Sequence, residues 1–361
     1  MKTVHVELGE RSYEIRIAGG LVARVGEVLA TLAKGGRVAV VTDANVGPRY
    51  ADAVVRSLES SGFTTCVVTV PAGESSKSVA ELAKLWDAFV AFEMDRGSTV
   101  AALGGGVVGD LAGFAAATFM RGVRCVQIPT TMLAAVDSSV GGKTAIDLAS
   151  GKNLVGAFHQ PAAVLIDPEL LRTLPGRELA AGLAEVIKHG VIRDADFFAR
   201  LERDIAKLLE LDASVTADVI GRNCEIKAEV VSADERESGP RAILNYGHTV
   251  GHALETTSGE RLVHGEAVAI GMAVESVVAE KLGRIGTDVT ARQNALLSRA
   301  GLPTSTGAVD LDAVMTTMRR DKKARSGRLN VVLPTRIGRV ELVKDVSPLV
   351  VREALEACRG G

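Results

Sequence analysis

Three of the chain's six histidines, His248, His252 and His264, fall within 17 residues. His248 and His252 are four positions apart in NYGHTVGH, which reads as a helix start from Asn245, so both rings share one helix face. His264 opens the next periodic stretch, HGEAVAIGM. Three imidazoles, or two with a carboxylate, suit a catalytic zinc that keeps one coordination position open. Glu185, in AGLAEVIKHG, is the candidate carboxylate. A lone pair of histidines at this spacing more often caps or packs. The third ring and the basic residues around it turn the reading toward a metal. Spacing leaves open which histidines ligate.

A second constellation could hold a nucleotide. Thr99–Leu103 reads as a strand, followed by GGGVVGD and then the helical LAGFAAATF. Gly104, Gly106 and Gly109 fit G-x-G-x-x-G between strand and helix. There the backbone can approach a pyrophosphate, and the helix N-terminus offers free N–H groups. A tight turn with close helix–strand packing would use the same glycines. The acidic residue expected about 20 positions on is absent from VRCVQIPTT, and Asp43-Ala44-Asn45, after the strand Val38–Thr42, offers a carboxylate instead. SVGGKT imitates the end of a phosphate-binding P-loop, but Asp137 stands where that motif needs glycine.

Arg121, Lys143, Lys152, Lys188, Lys227, Arg241 and Lys322 lie in or beside these segments. Each alone reads as a solvated charge. Lys188, however, is one helical turn from Glu185 among small and apolar residues, and Lys143 follows two glycines. Together they suit a substrate carrying both phosphate and carboxylate.

The elements that must position these groups form two blocks. Residues 1–20 alternate as a hairpin, and apolar runs at 38–41, 66–70, 100–103, 125–128 and 164–166 alternate with helical periods. That is the pattern of a parallel sheet covered by helices. After 175 the strand signals fade into helices over 177–190, 195–211, 214–231, 245–257, 265–282 and 288–300, with one extended pair at 330–333 and 339–343. The expectation is α/β: a Rossmann-like nucleotide domain, 1–175, then a mainly helical metal- and substrate-binding domain, 176–361. The natural place for chemistry is the cleft joining them. The 42 basic and 44 acidic side chains balance, which argues against nucleic-acid or membrane partners. Four scattered cysteines without a C-x-x-C pair argue against a disulfide framework. No secretory leader and no run of about 18 apolar residues is seen, so a cytoplasmic enzyme is expected.

GGGVVGDLAGFAAATFMRG, IPTTMLAAVDSSVGGKTAID, GKNLVGAF, AEVIKHG, RAILNYGHTVGHALE, HGEAVAIGM and RDKK occur in this order. The series resembles the 3-dehydroquinate synthase family, part of a superfamily with other sugar-phosphate cyclases and iron-dependent alcohol dehydrogenases. The resemblance implies an NAD- and zinc- (or cobalt-) dependent carbon–oxygen lyase of the shikimate pathway. It would convert 3-deoxy-D-arabino-heptulosonate 7-phosphate to 3-dehydroquinate and phosphate by transient oxidation, phosphate elimination, re-reduction and aldol closure.

The resemblance also implies residue roles. Glu185, His248 and His264 would bind the metal, and His252 would transfer a proton. NAD would be held by Asp43, Asn45, Gly73, Glu74, Lys77, Gly105, Gly106, Val107, Val108, Gly109, Asp110, Thr130, Thr131, Lys143, Lys152, Leu170, Leu171, Arg172 and Thr173. Substrate would meet Asp137, Lys143, Lys152, Asn153, Lys188, Lys227, Arg241, Asn245, His252 and Lys322, with Arg121 reaching the phosphate from the second subunit of a homodimer. Among these, Lys152, Asn153, Lys188 and Arg241 would join His252 in catalysis. Ala72 and Pro240 depart from the aspartate and leucine common in the family. The competing readings are a metal-dependent polyol dehydrogenase, a sister cyclase with another sugar phosphate, and a catalytically silent binding protein.

Overall fold

The computed structural model describes residues 1–237, 239–259, 261–320 and 329–360. Its strands are β1 (Lys2–Val6), β2 (Tyr13–Ile17), β3 (Gly36–Asp43), β4 (Phe63–Val70), β5 (Thr99–Gly104), β6 (Arg124–Pro129), β7 (Lys143–Leu148), β8 (Gly151–Phe158), β9 (Ala163–Ile166), β10 (Leu329–Arg336) and β11 (Arg339–Val346). Its α-helices are α1 (Val25–Leu32), α2 (Gly47–Ser60), α3 (Val79–Ala91), α4 (Gly106–Thr118), α5 (Gly176–Arg193), α6 (Ala195–Leu209), α7 (Ala213–Ala233), α8 (His248–Ser258), α9 (His264–Lys281), α10 (Thr287–Arg299), α11 (Leu311–Arg320) and α12 (Pro348–Ala357). None of the described helices is long and apolar enough to cross a membrane.

The chain divides into two compact units, Met1–Leu174 with Thr216–Arg236, and Pro175–Val215 with Glu237–Gly361. The sequence reading placed all of 176–361 in one domain. The difference is most of α7, whose helical period says nothing about which neighbour it packs on. Asn223 Nδ2 donates to Val136 O at 2.8 Å, and Lys2 pairs with Glu225 at 2.9 Å. These contacts tie α7 to the first unit.

In that unit a seven-stranded sheet runs in the order β1-β2-β9-β6-β5-β3-β4, with β1–β2 antiparallel and every other pair parallel. The apolar runs are continuous because both faces are covered. Val38 and Val40 pack with Val54 and Leu58 of α2, while Ala39 and Val41 pack with Leu82, Phe89 and Leu111 of α3 and α4. Strand order reverses at β3, which has β4 on one side and β5 on the other. Ligands in open α/β sheets bind outside the carboxyl ends of strands at such a point. Asp43 and Gly104, the last residues of β3 and β5, lie there.

The antiparallel β7–β8 hairpin was not foreseen. β7 reaches the core through Ile146, but β8 leaves Leu154, Val155 and Phe158 39–48% exposed, so β8 carries no core-facing period in the sequence. In the second unit, α5 and α9 are buried on nearly all sides. Helix α8 starts at His248 rather than Asn245: a short 3-10 helix, Pro240–Asn245, ends first, and Gly247 (φ 78°) breaks the path. Helices α11 and α12 also went unread. For α12 the signal existed, since Ser347 accepts from Leu349 N at 3.3 Å with Pro348 at the first turn.

Candidate active site

The metal candidates converge within the second unit. Glu185 sits mid-way along α5, fully buried, and neither of its carboxylate oxygens accepts a well-formed hydrogen bond. His248 Nε2 lies 3.6 Å and His264 Nε2 3.8 Å from Glu185 Oε1. Tetrahedral zinc with bonds of about 2.1 Å sets neighbouring donors about 3.4 Å apart, so the three fit one ion with a small contraction. A buried carboxylate without a well-formed hydrogen bond, facing two imidazole nitrogens, is the donor chemistry of such an ion. Lys188, one turn on, also contacts Glu185.

Each ring is aimed by its other nitrogen, which fixes the tautomer. His248 Nδ1 donates to Tyr246 O at 3.1 Å, and His264 Nδ1 to Glu255 Oε2 at 3.1 Å. Both therefore present Nε2 to Glu185. His252 stands beside them, exposed, its ring centroid 5.1 Å from that of His248 in an edge-on arrangement. Glu255 was missed because a helical glutamate beside a polar run reads as surface.

Burial would raise the Glu185 carboxyl, but the Lys188 ammonium and the two rings outweigh it and hold it well below the usual carboxylate range. Burial and Lys188 push His248 below the ordinary imidazole value. For His264 burial is outweighed by Glu185 and Glu255, which hold it up at about 9. At neutral pH the metal-free site thus carries, beyond the Nδ1–H of each ring, one further proton on His264 Nε2, and an incoming ion must displace it. Zinc binding at pH 7 is expected to release about one proton, and affinity to fall roughly tenfold per unit as pH drops from 9. Calorimetry in buffers of different ionisation enthalpy checks this; heats independent of the buffer would contradict it.

Arg241, buried, lies on the 3-10 helix before α8. Asn245 ends that helix and donates to Glu237 Oε1 at 2.7 Å. Lys322 lies outside the described residues.

In the first unit, Asp43 Oδ1 accepts from Asn45 N (2.8 Å) and Val46 N (3.0 Å), turning the chain at the carboxyl end of β3. Gly104 and Gly105 lead into α4. A Cβ on Gly104 would stand 2.6 Å from the Val108 side chain, so close packing requires that glycine whether or not a phosphate approaches. Val107 and Gly109 follow in the first turn of α4, and Thr130 N donates to Gly104 O at 2.9 Å. Thr131 Oγ1 accepts from Ala134 N at 3.1 Å.

Lys77, only 4% exposed, reaches Asp110 at 2.9 Å and Glu74 at 3.5 Å, and also contacts Asn153. Gly73 precedes this group with φ 102°. Burial pushes the Asp110 carboxyl up to about 6, against the pull of Lys77. Asp137 lies in a single π-helical turn, Ala134–Ser138, and pairs with Lys227 of α7. Lys143 and Lys152 are exposed on β7 and on β8. Arg121 is exposed at a left-handed position (φ 68°). Leu170 and Leu171 are core residues, so only their backbone and the neighbouring Arg172 and Thr173 could face a ligand. Thr173 Oγ1 is 2.6 Å from the Tyr50 hydroxyl.

Two family models match in tandem, 3-dehydroquinate synthase N-terminal over residues 67–181 and C-terminal over 182–324. A 3-dehydroquinate synthase of Symbiobacterium thermophilum is 51% identical over 98% of this chain and 100% of its own length. One from Picosynechococcus is 48% identical, covering 98% of each. Among solved structures, the 2-epi-5-epi-valiolone synthase of Streptomyces hygroscopicus, with NAD+ and Zn2+ bound, is 30% identical with a TM-score of 0.90 over 98% of both chains. A glycerol dehydrogenase from Schizosaccharomyces pombe, 18% identical over 96% of this chain and 88% of its own with a TM-score of 0.70, shares the fold. With a buried carboxylate–imidazole triad, a sheet that reverses beside a glycine loop, and full-length relatives at about half identity, the chain belongs to the 3-dehydroquinate synthase family.

Proposed function

We propose that this chain is a cytoplasmic 3-dehydroquinate synthase, releasing phosphate from 3-deoxy-D-arabino-heptulosonate 7-phosphate and closing the carbocycle. The observation that carries the reading is the Glu185–His248–His264 convergence. When bound, NAD supplies a reversible hydride acceptor and the divalent cation a Lewis acid.

The chain's own residues do the rest. His252 takes the hydroxyl proton of the carbon to be oxidised, since it stands exposed beside the ligand His248. Lys188 and Arg241, cations held in buried positions, bind and orient anionic groups of the substrate, and Asn245 adds a hydrogen bond. In the first unit, Asp137, Lys143, Lys152, Asn153 and Lys227 are assigned to the substrate. Asp43, Asn45, Gly73, Glu74, Lys77, the loop from Gly105 to Asp110, Thr130, Thr131 and the segment Leu170–Thr173 are assigned to NAD. Purified protein with zinc, NAD and this substrate is expected to release phosphate stoichiometrically with product, without NADH accumulating. Lasting NADH absorbance without phosphate would favour the dehydrogenase reading.

We assign the homodimer to the β7–β8 hairpin. Among the described residues β8 pairs on one edge only, with β7, and exposes Leu154, Val155 and Phe158. An apolar edge of this kind invites pairing with another chain. His159 Nε2 is 2.9 Å from Val123 O, which sets Phe158 near the turn bearing Arg121. Phe158→Asp is expected to shift the protein from dimer to monomer in sedimentation and to lower activity as Arg121 leaves the partner's site. A wild-type monomer would contradict the assignment.

A further inference from the structure

Glu275 has no part in the roles assigned above, yet it is a fully buried carboxylate on α9, within the apolar run GMAVESVVAE. Its Oε2 accepts from Gly247 N at 2.6 Å and its Oε1 from Val250 N at 3.3 Å. These are the N–H groups of the N-cap residue and of the third residue of α8, and the latter is one that a Ser, Thr, Asn or Asp side chain at the cap commonly satisfies. Gly247 has no side chain to do so. It cannot have one, because its φ is 78° and a Cβ would stand 2.6 Å from Met272 Cγ and 2.8 Å from Val268 O. The cap is therefore supplied by another helix.

The peptide group between Tyr246 and Gly247 gives that cap a second consequence. Its N–H is the one donated to Glu275, and its C=O, Tyr246 O, is the acceptor for His248 Nδ1–H at 3.1 Å. Hydrogen bonds in a chain polarise one another. Negative charge on Glu275 draws density along the amide toward its oxygen, which strengthens the bond from Nδ1–H and makes Nε2 a better donor. His264 receives the same treatment directly, from Glu255 at 3.1 Å. We propose that Glu275 is a positioning residue for the metal, acting on His248 through the Tyr246–Gly247 peptide, so that both ligand imidazoles are backed by a carboxylate.

This inference rests on the metal reading of Glu185, His248 and His264, and its test separates the two. Zinc affinity, measured by chelator competition, is compared for wild type, Glu275→Gln and Glu255→Gln, together with the melting temperature of each metal-free protein. Gln keeps the shape and one acceptor oxygen but removes the charge. Loss of a partner behind a ligand histidine typically costs about 10–100-fold in metal affinity. Glu275→Gln is expected to fall in that range, comparable to Glu255→Gln. A folded Glu275→Gln protein binding zinc within twofold of wild type would overturn the proposal.

Should the variant not fold, nitrogen-15 histidine spectra of wild type decide. Zinc-bound His248 is expected to coordinate through Nε2 with a downfield, slowly exchanging Nδ1 proton; coordination through Nδ1, or a freely exchanging proton there, would overturn it. Wild type that binds no zinc, by contrast, removes the metal reading itself.

Discussion

Replacing Glu185 with Gln is expected to empty the metal site and lower turnover by about a thousandfold. The ion's Lewis acidity is worth several kcal/mol of charge stabilisation, and about 4 kcal/mol corresponds to that factor. Glu185 touches the Lys188 ammonium but accepts no well-formed hydrogen bond, and Gln would present a neutral group or its N–H2 to the two imidazoles. The substitution also leaves Lys188, 1% exposed, without its counter-charge. Breaking a buried pair from one side costs about 3–5 kcal/mol. Metal analysis, steady-state kinetics and thermal melting of the metal-free protein check the three effects. Full zinc content in the variant would remove Glu185 from the ligand set.

A single methyl on Gly271 is expected to be as damaging, at a distance from any ligand. A Cβ there would stand 1.9 Å from Gly247 O, between the backbones of α9 and the entry to α8. Neither helix can retreat without moving His248 or Glu275, whose bonds hold the turn. Overpacking commonly costs 1–3 kcal/mol and more where backbone must shift. Gly271→Ala is therefore expected to lose about 3 kcal/mol or more, with melting lowered by about 6 °C or more and zinc affinity reduced alongside. Gly176→Ala is the control, since nothing lies within 4 Å of that Cβ. Equal behaviour of the two variants would show that α8 and α9 are not held as closely as described.

The parts legible in the sequence were those whose chemistry is rare. Histidines are few, so their clustering pointed to a candidate metal site while leaving open which rings ligate, and a strand–glycine–helix run announced the turn at β5. What escaped was placement that depends on a distant partner. Glu275 looks like an interruption of an apolar helix until Gly247 and Val250 are seen to need its oxygens. Glu255 has no mark apart from His264. Strand β8 lacks a buried face, and most of α7 belongs with the first unit although its period is that of any helix. The start of α8 was misplaced by three residues because the left-handed turn at Gly247 has the same letters as a helix containing a glycine.

The most direct test of the metal centre is an anomalous-scattering map of zinc-loaded crystals. A single strong peak is expected about 2.0–2.2 Å from one Glu185 oxygen, His248 Nε2 and His264 Nε2, with His252 outside the coordination sphere. A peak bound by His252 in place of either ring, or lying away from Glu185, would contradict the account.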